Sequence, residues 1–171
     1  DNLHTIVTLR KDKFYKTKLI KNNIKIIELD FINKSKFLEF FKLVRLLKLD
    51  KPDILQTWLY HCDFIGSIAA KLAGVKNIIW NIRGTVKNKM SIKEFIYYKM
   101  LSIFSYYFPK KIISCSLEGI NQHVKFGYKK EIFCYIPNGI LQKIQTSKNF
   151  QNTFIKKYNL SRKIVIAMIA R

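Results

Sequence analysis

Acidic residues are scarce in this chain, since 11 Asp and Glu stand against 32 Lys and Arg, a formal net charge of +21 at pH 7. Such an excess of positive charge favours anionic partners, among them nucleic acid, an acidic membrane surface and phosphorylated small molecules. The lysines are dispersed rather than gathered into arms, and a compositional drift toward Lys also explains much of the charge. Charge alone leaves the partner open.

Cysteines and long apolar runs are also few. The three cysteines, Cys62, Cys115 and Cys134, are odd in number and lack Cys-x-x-Cys spacing, which argues against a disulfide framework. Cys115 and Cys134 fall in predicted strands and are expected to be small buried side chains. No apolar run approaches the ~18–20 residues that span a bilayer, and the start lacks a signal-peptide pattern. These features predict a reduced, cytosolic protein.

Recognised catalytic and metal-binding motifs are absent from the sequence. His4, His61 and His123 are too scattered for a recognisable metal site, and no His-Glu-x-x-His motif occurs. Neither a Gly-x-Ser-x-Gly elbow nor a Walker-type phosphate loop is present. The aromatic residues follow helical patterns rather than a displayed sheet, which weighs against nucleic-acid binding. We predict no metal site, and a non-catalytic basic module that binds anionic membrane or nucleic acid is the alternative to an enzyme.

The stretch from Pro52 to Arg83 predicts a βαβ unit. Ile54–Trp58 reads as a buried strand, Tyr60–Asp63 as a short polar loop, and the following residues to Gly74 as a helix of about ten residues. Ile78–Ile82 reads as the second strand. A crossover of this kind makes the two strands parallel and the connection right-handed.

The rest of the chain repeats this alternation. Strands are expected at 4–9, 24–29, 111–115 and 132–136, and helices at 11–22, 36–48, 91–108 and 116–126. Alternating helices and near-continuous apolar strands predict an α/β fold with a doubly wound, Rossmann-like parallel sheet. Residues 142–152 read as a polar linker before a short helix at 154–158. A final apolar run, 164–169, is expected to belong to a second domain, because a lone strand cannot make a core.

Two helices carry informative faces. After a Ser35 cap, the first is expected to turn its apolar side chains to the core and to leave three cations near solvent. The apolar set is Phe37, Leu38, Phe40, Phe41, Val44 and Leu47, and the cations are Lys42, Arg45 and Lys48. The helix that opens with Ser91 has aromatic residues on nearly every face. It either fits between the sheet and a neighbouring helix or lies on a membrane interface, where Lys93, Lys99, Lys110 and Lys111 meet anionic lipid.

Several segments resemble the amino-terminal domain of family 4 glycosyltransferases of the GT-B fold. They are QTWLYHCD at 56–63, WNIR at 80–83, ISCS at 113–116 and YIPNGI at 135–140. The closing IAMIAR at 166–171 is similar to the first strand of the family's second domain. These segments occur in the family's order over most of the chain, so together they are more specific than any one of them.

The resemblance implies a two-domain enzyme that transfers a sugar, with retention, from a nucleotide-sugar donor to a glycan or lipid-linked acceptor. It implies cell-surface polysaccharide synthesis, cytoplasmic or peripheral on the inner face of the cell membrane, with no metal and no cofactor beyond the donor. It assigns 1–141 to an acceptor-side domain without its first strand, 142–163 to a linker, and 164–171 to a nucleotide-sugar-binding domain. On this view the chain alone is an incomplete, inactive part of the enzyme.

Five residues are candidate site residues. The resemblance gives His61 a catalytic role, whereas a lone histidine beside a strand is commonly structural. Asp63 and Arg83 are predicted to bind the acceptor or a phosphate, because both follow parallel strands at one edge and the planar guanidinium suits oxyanions. A surface ion pair is the alternative for Arg83. Asn138 and Gly139 are predicted to form a turn at the domain hinge rather than to touch ligand.

Overall fold

The computed structural model describes residues 4–11, 13–86, 90–139 and 148–160 of the chain. The chain divides into two compact units, Asp1–Pro137 and Asn138–Arg171. Strands and helices alternate through the first unit, and one helix is described in the second. In order they are β1 Thr5–Thr8, α1 Lys13–Lys21, β2 Lys25–Glu28, α2 Lys36–Asp50, β3 Leu55–Trp58, α3 Tyr60–Ala73, β4 Ile78–Ile82, α4 Ile92–Phe104, β5 Lys111–Ser114, α5 Leu117–Phe126, β6 Phe133–Tyr135 and α6 Lys148–Lys157.

Every strand pair among the described residues is parallel. β1 pairs with β2, and β3, β4, β5 and β6 form a four-stranded sheet in that order. Thr57 of β3 lies opposite Trp80 of β4, which lies opposite Ile112 of β5. The parallel α/β architecture is therefore confirmed, and the carboxyl ends of β3, β4 and β5 lie along one edge.

The core is centred on β4 and the helices that pack against it. Trp80 is fully buried, and its indole N–H donates to the Ser67 hydroxyl of α3 at 2.8 Å, so the polar end of the ring is satisfied. The other core side chains are mainly aliphatic: Leu29, Leu43, Val44, Leu47, Ala69, Ala70, Val75, Ile78, Ile82, Leu101 and Ile112, with Tyr128. No helix among the described residues has the length and apolar character needed to cross a membrane.

Four helix termini form where local sequence signals predict them. Ser91 and Glu94 make a reciprocal capping box at the start of α4, and the Ser116 hydroxyl accepts from the Gly119 N–H at the start of α5. Gly74 and Gly127 end α3 and α5 in the left-handed region, at φ 82° and 113°. These predictions are confirmed because each depends on a few neighbouring residues.

The predicted core face of α2 is partly wrong. Phe37, Leu38 and Phe41 are exposed, whereas Glu39 is only 2% exposed. Glu39 faces inward because its carboxylate accepts from the Asp30 N–H at 3.0 Å and from the Lys42 ammonium at 2.5 Å. These hydrogen bonds also lower the pKa of Glu39, the bond from Lys42 most. Ser35 precedes α2 but its side chain makes no capping hydrogen bond.

Two further expectations need correction. Cys134 is exposed because β6 is the outer strand of the described four-stranded sheet, and Cys115 is half-buried. Residues 148–152 belong to α6, so this part of the predicted linker is helical. Residues 142–147 and the predicted last strand at 164–169 lie outside the described residues.

Candidate functional site

The junction between β3 and α3 is a sharp, strained corner. Tyr60–Asp63, predicted as a loop, form the first turn of α3, so that prediction is wrong. Leu59 makes this possible by adopting φ 76° and ψ 149°, a conformation that L residues rarely occupy. Such a backbone costs on the order of 1–3 kcal/mol, and strain of this kind concentrates at functional sites.

The first turn of α3 presents backbone donors at this edge of the sheet. Leu59 occupies the N-cap position but has no side-chain acceptor, and no side-chain capping bond forms. A helix amino terminus carries partial positive charge, which favours anions. It lies at the carboxyl end of β3, where open parallel sheets bind ligands.

Asp63 anchors the first turn of α3 to strand β3. The Thr57 hydroxyl of β3 donates to its Oδ1 at 2.5 Å, while Oδ2 is buried without a hydrogen-bond partner among the described residues. Burial raises the pKa of this carboxyl to about 7, and the Thr57 bond only partly opposes that rise. Asp63 is 1% exposed, so the structure makes it an internal anchor, and its predicted contact with acceptor or phosphate stays a prediction.

A second anchor joins α3 to α5, and sequence analysis did not identify it. The Tyr60 hydroxyl and His123 Nε2 are 2.9 Å apart, although 63 residues separate them in sequence. His123 Nδ1 lies 2.6 Å from the Gly119 carbonyl, which can only accept, so Nδ1 carries the proton and Nε2 accepts from Tyr60. Burial lowers the pKa of His123, which keeps the ring neutral. The one local signal is the spacing of Gly119 and His123, which puts both on the same face of α5.

We expect Tyr60→Phe to lower the free energy of unfolding by about 1–2 kcal/mol, because it leaves the buried His123 Nε2 without a donor. Urea denaturation measures this change. Tyr135→Phe is the matched control, since Tyr135 is exposed and should tolerate loss of its hydroxyl. Equal stability of the two variants would contradict the anchoring role of the Tyr60 hydroxyl.

His61 lies at the surface between the two anchors. Tyr60 and Asp63 are held on either side of it, whereas the His61 side chain is exposed. Cys62 beside it is half-buried, and burial with some help from Asp63 raises the pKa of its thiol to about 11. Cys62 is therefore protonated near neutral pH and is a poor nucleophile. The imidazole of His61 is the accessible polar group of this turn.

Arg83 contributes to the same edge from the next strand. It follows β4, and its guanidinium carbon lies 4.7 Å from the centroid of the Trp58 ring at the end of β3. Trp58 is half exposed. This cation–π contact holds a planar cation beside an aromatic surface.

The loop that carries Arg83 packs closely against α5. A Cβ atom added at Gly119 would lie 3.4 Å from the Gly84 carbonyl oxygen, and one added at Gly84 would lie 3.6 Å from the Tyr60 hydroxyl. These are ordinary van der Waals separations, so the β4 loop lies close to both α3 and α5. The structure thus assembles one edge from the ends of β3 and β4 and the start of α5.

The other candidate residues belong to the second unit. Asn138 and Gly139 follow β6 as exposed, irregular backbone in the second unit, and their hinge role stays a prediction.

Among the described residues, no group of three or more His, Cys, Asp or Glu side chains is placed to hold a metal ion. A surface depression of about 390 Å³ lies at the opposite, amino-terminal edge of β3 and β4, lined in part by Lys48, Asp53 and Lys76.

Comparisons with known proteins give a family and a fold. A family model described as "Glycosyl transferase 4-like" matches residues 4–116, whereas a comparison with curated proteins found no match. HepE from Anabaena, solved in complex with UDP-glucose, has a TM-score of 0.71 and 14% identity over 92% of this chain and 42% of its own. A glycosyltransferase from Rickettsia africae has a TM-score of 0.61 and 17% identity over 91% and 41%.

The lipopolysaccharide outer core galactosyltransferase WaaB has a TM-score of 0.53 and 20% identity over 79% of this chain and 36% of its own. The chain therefore spans about two fifths of the length of the structures it matches. At these identities the likeness defines the fold, which is the Rossmann-like amino-terminal half of the GT-B architecture.

Proposed function

Because the chain belongs to the glycosyl transferase 4-like family, we propose that it supplies the acceptor side of a retaining glycosyltransferase. The enzyme would transfer a sugar from a nucleotide-sugar donor to a glycan or lipid-linked acceptor in cell-surface polysaccharide synthesis, at the inner face of the membrane. One observation carries the proposal. The strained Leu59 corner brings the uncapped start of α3 and the exposed His61 to the same sheet edge as the Trp58 and Arg83 pair.

His61 is suited to contact the reacting sugar. Its side chain is exposed, and the anchored Tyr60 and Asp63 restrict the turn that carries it. The two ring nitrogens of an imidazole can take part in hydrogen bonds, so this side chain can orient an acceptor hydroxyl or hold a donor hydroxyl during transfer. We assign Asp63 and Tyr60 to positioning, because their contacts with Thr57 and His123 hold the turn in place.

Arg83 is suited to hold negative charge. A planar guanidinium binds phosphate or carboxylate through two parallel hydrogen bonds. The amino terminus of α3 at the same edge adds partial positive charge. Transfer from a nucleotide-sugar releases an anionic nucleotide, so both groups would stabilise charge that develops as the glycosidic bond breaks.

We expect Arg83→Met to lower kcat/KM about tenfold to a hundredfold in the full-length protein, since a charge-assisted hydrogen bond contributes about 1.5–3 kcal/mol. His61→Ala should lower it about tenfold. UDP-glucose is the first donor to assay, because HepE was solved with it, followed by other nucleotide-sugars. Release of the nucleoside diphosphate, with membrane lipid extract as acceptor, measures the reaction.

Matched controls separate site effects from loss of charge or loss of fold. Lys76→Met removes an exposed cation at the opposite edge of the sheet, and His4→Ala removes another exposed histidine. Both should keep full activity, and all four variants should have unchanged circular dichroism. Full transfer activity in Arg83→Met and His61→Ala would refute the assigned site.

A further inference from the structure

The outward side of α4 has the wrong polarity for a helix in water. Tyr98, Leu101 and Ser102 face the core, so the opposite side of this helix meets solvent. That side carries Ile92, Ile96 and Ile103, at spacing i, i+4 and i+11, and they are 80%, 61% and 58% exposed. A surface helix ordinarily carries polar side chains on this face. Three aligned isoleucines there therefore indicate a surface that another molecule covers.

The apolar surface continues beyond the end of the helix. The N–H groups of Tyr106 and Tyr107 donate to the carbonyls of Ile103 and Phe104 at 3.1 and 3.0 Å, so the chain makes one more helical turn. Both tyrosines are exposed, Tyr107 at 76%. We name Ile92, Ile96, Ile103, Tyr106 and Tyr107 the α4 ridge. At 1.5 Å per residue it extends for ~20 Å.

The charges around the α4 ridge are positive. Lys93 lies near one end of the ridge and Lys110 follows the other, both exposed and without an ion pair among the described residues. Glu94, the acidic residue of α4, is held by Ser91 in the capping box. Lys99 is left out of this set because it is held by Phe126, and its expected contact with lipid stays a prediction. Its ammonium donates to the Phe126 carbonyl at 2.7 Å and lies over the Phe126 ring.

We propose that the α4 ridge docks on the surface of an anionic lipid bilayer. Isoleucine and tyrosine side chains can enter the boundary between headgroups and acyl chains, while Lys93 and Lys110 meet the headgroup phosphates. A second copy of the chain fits less well, because two chains with a formal charge of +21 repel each other. Nucleic acid would pair with the lysines but would leave the isoleucines in water. An anionic bilayer is therefore the partner that matches both the positive charges and the exposed apolar side chains of the α4 ridge.

Vesicle sedimentation tests the docking surface. The full-length protein is mixed with vesicles of 70% phosphatidylcholine and 30% phosphatidylglycerol, and with vesicles of phosphatidylcholine alone. We expect at least tenfold stronger partitioning to the anionic vesicles. The variant Ile96→Asn/Ile103→Asn should lose at least tenfold of that partitioning, because both side chains would lie in the acyl boundary. Lys93→Gln/Lys110→Gln should lose about 25-fold, as each cation near an anionic surface contributes about a factor of five.

Matched controls keep the test specific to the α4 ridge. Leu49→Asn/Leu72→Asn removes two exposed leucines from α2 and α3, and Lys71→Gln/Lys76→Gln removes two exposed lysines. These variants should bind as wild type does. Wild-type binding of vesicles by the isoleucine variant would overturn the proposal. A wild-type dimer that becomes a monomer in this variant would also overturn it, since the ridge would then be a contact between two copies. Loss of RNA binding by this variant, with lipid binding unchanged, would overturn it as well. The inference rests on the membrane location proposed above and deepens it. The vesicle assay contains no sugar donor, so a failure of membrane docking is distinguishable from a failure of sugar transfer.

Discussion

Raising the pH from 5 to 8 is expected to lower the free energy of unfolding through Asp63 by about 2–3 kcal/mol. The pKa of this carboxyl rises from an ordinary 3.8 to about 7 in the folded protein, chiefly through burial. Between these values the folded state keeps a proton that the unfolded state has released. The stabilisation is therefore complete below about pH 4 and is lost as the pH rises to about 7.

Asp63→Asn isolates this effect, because the amide keeps the shape of the side chain and an acceptor for the Thr57 hydroxyl but cannot ionise. We expect the variant to be more stable than wild type at pH 8, with the difference shrinking by about 2–3 kcal/mol at pH 5. His123 acts in the opposite direction, since its lowered pKa weakens folding as the pH falls below its ordinary 6.5. It is present in both proteins, so it cancels in the comparison.

Urea denaturation at pH 5, 6, 7 and 8 measures both proteins. The neighbouring Tyr60, Tyr97 and Tyr128 do not ionise in this range, because burial raises the pKa of each hydroxyl. A stability difference that stays constant across the series would contradict a buried, ionising Asp63.

The parts of the fold that were predictable from sequence depend on neighbouring residues. β4 occupies Ile78–Ile82, as its apolar run predicted, and α5 lies between the Ser116 cap and Gly127. An apolar strand, an N-cap hydroxyl and a left-handed glycine each act within about four residues. For α4, Tyr98 packs inward as the first alternative predicted, while Ile96 and Ile103 face outward, so the membrane alternative stays a prediction.

The parts that were not predictable depend on distant contacts. Local preference makes Leu59 a poor choice for a left-handed φ, so the α3 start at Tyr60 could not be inferred from neighbouring residues. The turn is held instead by His123, which is remote in sequence. Glu39 likewise is buried because of the Asp30 backbone and not because of the periodicity of α2. The same limit applies to the candidate site, where His61, Asp63 and Arg83 were predicted but the contact between Tyr60 and His123 was not.

Gly66→Ala is expected to lower the free energy of unfolding by about 2 kcal/mol, although alanine is the better helix former by about 1 kcal/mol. A Cβ atom at this buried position of α3 would lie 2.7 Å from Thr57 Cγ2. Thr57 cannot rotate away freely, because its hydroxyl holds Asp63 Oδ1. The added methyl group would therefore either separate α3 from β3 or break the anchor of the α3 first turn.

A second substitution identifies the clashing atom. Thr57→Ser removes Cγ2 and keeps the hydroxyl, and we expect it to cost about 1 kcal/mol alone. In the double variant with Gly66→Ala, it should recover about 1–2 kcal/mol of the stability that Gly66→Ala alone loses. Urea denaturation of the wild type, the two single variants and the double variant measures this coupling. Gly139→Ala is the control and should change stability by less than about 0.5 kcal/mol, since, apart from its chain neighbours, no atom of the described residues lies within 4 Å of its added Cβ. Strictly additive losses in the double variant would mean that the Thr57 methyl group is not what requires glycine at position 66.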